Sequence, residues 1–184
     1  MGAPITPAAF DGLDADAAAS IVRVWAAVPA WVADIVAARP FGTRDALIVY
    51  ADRRARAWTR SDLDAALAHH PRIGERPRGS GADAEASRAE QASMSSAATT
   101  TADAIVAGNV AYEARFGRVF LIRAAGRSPE ELLAELERRL RNDDETEVGE
   151  ALHQLREIAL LRLQSAIACD QPHQPHEPHP ETNA

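Results

Sequence analysis

Apolar side chains recur along this chain mostly at intervals of three and four residues, the period of an amphipathic helix. Ile21, Val24, Trp25 and Val28 fall at i, i+3, i+4 and i+7, which predicts a first helix from Asp14 to Val28, interrupted by Pro29. Pro29 suits the first turn of a second helix that carries Trp31, Val32, Ile35 and Val36 and ends before Arg39-Pro40-Phe41-Gly42. Thr43 is expected to cap a third helix through Leu47, Tyr50 and Ala51, and Ser61 a fourth through Leu63 and Leu67. The fourth stops near His69 and His70, because Pro71 disfavours helical geometry in the residue before it. Pro71 to Gly81 is rich in Pro, Gly and Arg and reads as a loop.

A fifth helix is predicted over about Ala82 to Met94, and a sixth from about Thr101 to Phe116, with Ile105, Asn109, Tyr112 and Phe116 on one face. Val119-Phe120-Leu121-Ile122 reads as a short extended, buried segment, although a helix start has the same pattern. Ser128-Pro129-Glu130-Glu131 is a capping box with proline at N1, followed by Leu132, Leu133, Leu136 and Leu140. Asp143 or Asp144 opens a last long helix with a stripe of Val148, Leu152, Leu155, Ala159 and Leu163. From Asp170 the repeated Pro and His tolerate neither helix nor strand, so residues 169–184 are expected to form a disordered tail behind a domain of residues 1–168. The class is all-α, a single domain of about seven or eight helices.

Composition narrows the chemistry. The formal net charge of −7 repels a phosphate backbone, so no nucleic-acid partner is expected. No apolar run reaches the length of a membrane span, and the N-terminus lacks the layout of a secretory signal; a cytoplasmic protein without a membrane partner is expected. Cys169 has no second cysteine to pair with. All 20 basic side chains are arginine, which excludes Schiff-base chemistry and a lysine-ended phosphate loop.

Three histidines lie outside the tail, and two are the adjacent His69 and His70. Pro71 leaves the His70 imidazole on a rigid turn, where it either caps the helix dipole or carries a proton near neutrality. Ser87, Glu90 and Gln91 share a helix face at i, i+3 and i+4, suited to a ligand rich in amides and carboxylates or simply to water. Spacing alone leaves both pairs of alternatives open.

Four segments taken together shift the weight toward a proton-carrying His70 and a ligand-binding face. Trp31 with Arg39-Pro40-Phe41, His69 through Glu75, Ser87 through Gln91, and Asn109 through Gly117 occur in an order that resembles the 2-oxo-4-hydroxy-4-carboxy-5-ureidoimidazoline (OHCU) decarboxylase family, from about Phe10 to Leu163. The resemblance implies a helical, commonly homodimeric enzyme without cofactor or metal, acting on a small-molecule carboxylate and releasing (S)-allantoin in urate breakdown. It makes His70 the catalytic histidine with Glu90 as its partner. It assigns substrate binding to Pro71, to Ser87, Arg88, Ala89 and Gln91, and to the partly main-chain contacts of Phe120, Leu121, Ile122, Arg123 and Ala124. Arg118 and Arg123 depart from the family pattern. The substrate supplies its own electron sink in an imine carbon, so the missing lysines are no obstacle. The rival readings are a helical binding module, which predicts His70 and Glu90 far apart, a related decarboxylase with another substrate, and a metalloprotein using the histidines, which ligand spacing disfavours.

Overall fold

The computed structural model describes residues 3–68, 72–73, 82–90 and 98–169. Among these the secondary structure is nine helices: α1 (Pro7–Asp11), α2 (Ala15–Trp25), α3 (Pro29–Ala37), α4 (Arg44–Ala55), α5 (Arg60–Leu67), α6 (Ala82–Glu90), α7 (Thr99–Phe116), α8 (Pro129–Arg139) and α9 (Asp144–Ala166). The all-α class is borne out.

Local chemistry sets most of the boundaries. Asp14, Thr43 and Asp143 each accept a hydrogen bond from a first-turn amide of α2, α4 and α9. Ser128 and Glu131 form the reciprocal capping box expected at α8. Three expectations need correction. The short α1, capped by Thr6 with Pro7 at its start, was not foreseen. Helix α2 ends at Trp25 rather than Val28, because Val28 precedes Pro29, takes extended geometry (ψ 107°) and caps α3 instead. The cap of α5 is Thr59 rather than Ser61: Thr59 takes the extended geometry of a cap and forms a capping box with Asp62, which leaves Ser61 inside the first turn.

Helix α9 is the spine. Helices α2, α4 and α5 pack against it and α3 packs on α2 and α4. The main core lies between them, built from Phe10, Val22, Trp25, Trp31, Ile35, Leu47, Leu63, Leu155, Ile158 and Leu163. Trp31 meets Trp58 edge-on at 5.4 Å between ring centroids and donates Nε1–H to the Ala51 carbonyl at 3.0 Å, which satisfies the one polar atom it buries. Ile5 pairs with the end of α9 through bonds to Ala166 and Ala168 of 3.0 and 2.8 Å.

A second, smaller core forms where α7 packs on α8, and holds Ile73, Ile105, Tyr112, Phe116, Phe120, Ile122, Leu132 and Leu136. Helix α7 stops at Gly117, whose φ of +67° is the left-handed geometry that favours glycine. The chain then runs without helix or strand through residues 119–124, buried as expected at Phe120, Leu121 and Ile122 and also at Ala124, whereas Val119 is only half-buried.

Candidate active site

His70, Pro71 and Gln91 lie outside the described residues, as does the side chain of Glu90. Their neighbours are in place. Helix α5 ends at Leu67 with Ala68 as its cap, so His69 and His70 follow directly. Beyond Pro71 in the sequence, two contacts anchor Arg72 and Ile73 to α7. Arg72 forms a forked ion pair with Glu113, and the Asn109 amide donates to the Ile73 carbonyl at 2.9 Å. The hydrogen bond from Arg72, opposed by partial burial, holds the Glu113 carboxyl below its ordinary pKa.

Helix α6 carries the polar stripe. Ser87 is buried, and its Oγ accepts a hydrogen bond at 3.2 Å from Nη2 of Arg162 on α9. Nη1 of Arg162 donates to the Val24 carbonyl at 2.9 Å. The Arg162 side chain is thus sunk between α2, α6 and α9. Arg88 and Ala89 turn to the exposed side of α6.

The segment after α7 is held from two directions. Arg139 donates Nη1–H to the Leu121 carbonyl at 2.7 Å, and its guanidinium lies 4.7 Å from the Phe120 ring centroid. On the other side, the Arg123 amide donates to Oε1 of Gln154 on α9 at 2.9 Å. The Arg123 side chain is occupied within the protein, donating to Glu157 at 3.3 Å and to the Ala125 carbonyl at 3.1 Å. Among the described residues, the amides of Ile122 and Ala124 meet no acceptor. Main-chain donors buried in this way call for a partner, and a ligand with carbonyl oxygens is one.

Two cavities flank these elements. One of about 510 Å³ lies at the end of α5 and is lined by Leu67, Ala68, Glu113, Phe116, Arg118 and others. The other, of about 220 Å³, has Arg162 in its wall together with Ala82, Glu85 and Ala86 of α6 and Trp25 of α2. The second is the one that pairs a buried cation with the predicted binding helix.

Sequence reasoning missed Arg162, Arg139, Glu147 and Gln154. The signal was available for three of them. Arg162 lies seven residues after Leu155 and three after Ala159, inside the stripe predicted to be buried, and Arg139 follows Leu132 and Leu136 at the same spacing. Glu147 directly precedes Val148 of the α9 stripe. A charged residue on a buried face is the informative exception. Gln154 carried no comparable signal.

Known proteins resemble this chain in sequence and in fold. The family described as OHCU decarboxylase matches residues 11–164. A curated relative, the 2-oxo-4-hydroxy-4-carboxy-5-ureidoimidazoline decarboxylase of Haloferax volcanii, is 33% identical over 136 residues, covering 72% of this chain and 79% of its own. Among solved structures, an OHCU decarboxylase determined in the presence of (S)-allantoin has a TM-score of 0.66 at 24% identity, covering 77% of this chain and 92% of that one. An (S)-allantoin synthase has a TM-score of 0.64 at 18% identity, covering 89% of this chain and 54% of the other.

Proposed function

The chain belongs to the OHCU decarboxylase family and decarboxylates OHCU in urate degradation, and on that premise we propose that it releases (S)-allantoin at a site bounded by Ser87 and Arg162, the segment 120–124 and the His70 turn. The observation that carries the location is the buried Arg162 guanidinium on the hydroxyl of Ser87, inside the stretch that the family resemblance assigns to substrate. The structural neighbour determined with (S)-allantoin supports the product.

The chemistry follows from the substrate. The bond from the ring carbon to the carboxylate breaks, its electron pair forms a double bond to the neighbouring ring carbon, and the imine nitrogen takes up a proton. The carbon bearing the ureido group then accepts a proton while the hydroxyl loses its own, which leaves the ring carbonyl of allantoin. His70 handles the hydroxyl proton, since imidazole exchanges protons in either direction near neutrality, and Glu90 orients it. Arg162 draws in the anion. A guanidinium clamped on the carboxylate alone would stabilise the ground state, so its help to the rate comes from facing the nitrogen that receives the electron pair. Gln91 and the Ile122 and Ala124 amides read the ureido and ring amide groups, and Pro71 closes the wall.

The working protein is a cytoplasmic homodimer of residues 1–168, with the tail dispensable. Exposed Val106 and Val110, one turn apart on α7, support an apolar contact between copies. No helix among the described residues is long and apolar enough to cross a membrane.

The test is turnover of freshly generated OHCU, followed by circular dichroism of the allantoin formed, for the wild type and Arg162→Gln. The expected result is (S)-allantoin from the wild type and a loss of about a hundredfold in kcat/KM for a folded variant, the range of one electrostatic group in a water-excluded site. Wild-type kinetics in the variant would move the site elsewhere.

A further inference from the structure

The buried ion pair beside the 120–124 segment has a consequence for how substrate is read. Arg139 and Glu147 are 1% and 0% exposed, and their guanidinium and carboxylate meet directly. Glu147 also accepts the phenol hydrogen of buried Tyr112 and, at 2.8 Å, an amide hydrogen of Asn142. Burial first, then the bond to Glu147, pushes the Tyr112 phenol far above its ordinary pKa, so it remains a donor. Every polar contact of Glu147 thus faces a donor. Such a pair is a poor way to gain stability, because its desolvation cost is close to its Coulombic return. What it supplies is a guanidinium that cannot move.

That guanidinium holds the Leu121 carbonyl at 2.7 Å and lies over the Phe120 ring. The Leu121 carbonyl and the Ile122 amide belong to one peptide unit, and this unit is trans, since the cis bond among the described residues is Arg39–Pro40. In a planar trans peptide the C=O and N–H point to opposite sides. Pinning the carbonyl toward Arg139 therefore directs the Ile122 N–H away from it. The next peptide unit is pinned as well, because its N–H, that of Arg123, is taken by Gln154 at 2.9 Å. Two consecutive peptide planes are clamped by side chains from α8 and α9, with the Ile122 amide between the two clamps.

We propose that Arg139, locked by Glu147, and Gln154 are positioning residues that fix the Leu121–Ile122 and Ile122–Arg123 peptide planes so that the Ile122 amide is aimed at a carbonyl oxygen of the substrate. The inference rests on the reading of 120–124 as the main-chain part of the OHCU site. Neither residue touches substrate. Their effect is on how tightly and in which orientation the ring is held, and hence on which face receives the proton.

The experiment compares Gln154→Leu, Gln154→Glu and the paired Arg139→Met/Glu147→Gln with the wild type, measuring KM, kcat, melting temperature and the enantiomeric excess of allantoin. Gln154 is only partly buried, so Gln154→Leu should fold. Replacing both partners of the buried pair leaves no unpaired charge. Folded Gln154→Leu and the paired variant should each raise KM about tenfold, the scale of one hydrogen bond of ordinary net strength, and shift the product toward the racemate. Gln154→Glu, which keeps an acceptor for the Arg123 amide, should recover most of both. Wild-type KM and enantiomeric excess in folded Gln154→Leu or in the folded paired variant would overturn the proposal, as would a loss confined to melting temperature. If the paired variant does not fold, the Gln154 series decides alone. A wild type that leaves OHCU to decay unaided would instead reject the underlying reading, and this inference with it.

Discussion

The two cores of this molecule are built differently. The core around α9 is apolar and aromatic, with Trp25, Trp31, Leu155 and Leu163 buried and the indole of Trp31 satisfied by one carbonyl. The core between α7 and α8 is smaller, yet it encloses the Arg139–Glu147 pair and the Tyr112 hydroxyl. Apolar packing is tolerant of small shifts, whereas an ion pair with its hydrogen bonds satisfied has one arrangement. The first core supplies stability through buried area. The second supplies position, and it is the one beside the segment expected to bind substrate.

The sharpest way to break this contrast is to damage each core by a similar amount. Glu147→Leu leaves the buried Arg139 charge with only the more distant carboxylate of Glu150, at 3.9 Å, and should cost about 3–5 kcal/mol. Leu155→Ala opens a cavity in the main core and should cost about 2–5 kcal/mol. Urea melts should show both losses. Only Glu147→Leu should also raise KM in the folded fraction, measured below the unfolding transition, and equal KM changes in the two would erase the distinction.

A smaller effect is expected at Gly108, where α7 meets α8. A Cβ there would lie 2.6 Å from Leu136 Cδ2 and 3.1 Å from its Cγ, so Gly108→Ala should destabilise by about 1–3 kcal/mol. Gly149 on α9 has nothing within 4 Å of the added carbon, and Gly149→Ala should stabilise by roughly 0.5–1 kcal/mol through helix propensity alone. Opposite signs in thermal melts would mark the α7–α8 contact as a tight one. The same sign at both would not.

The smallest effect belongs to Arg72–Glu113, the exposed counterpart of the buried pair. The Glu113 pKa is lowered in the folded protein, so its contribution is present above the unfolded value of about 4.3 and is lost as pH falls through the folded value. With the two side chains 45% and 26% exposed, solvent screening limits it to about 0.2–1 kcal/mol. Glu113→Gln should therefore melt slightly below the wild type at pH 7, and the gap should close below about pH 4. A gap that stayed constant down to pH 3 would show that the carboxylate is not what matters there.

Much of this could be read from the sequence because it is local. Ser128 and Glu131 announce α8 by spacing alone, and the periodic stripes of α7 and α9 are buried as expected apart from Leu152, which is half-buried. Thr59 was missed because Ser61 with Asp64 offers the same spacing as Thr59 with Asp62, and only the folded backbone selects between them. The site was legible only in part. His70, Glu90 and Ser87 stand in motifs, whereas Arg162 reaches Ser87 across 75 positions and Arg139 reaches Leu121 across 18. A charge on a buried face signals that a partner exists, and only packing determines which partner.

The most direct test of the account is His70→Asn beside His69→Asn, each assayed with freshly generated OHCU by circular dichroism and each melted. Pro71 fixes the backbone of the turn, so asparagine should leave the fold intact while removing the group that exchanges a proton near neutrality. The account predicts a folded His70→Asn protein about a hundredfold or more slower, its allantoin close to racemic, and a largely active His69→Asn. A folded His70→Asn that still produced (S)-allantoin at the wild-type rate would contradict it.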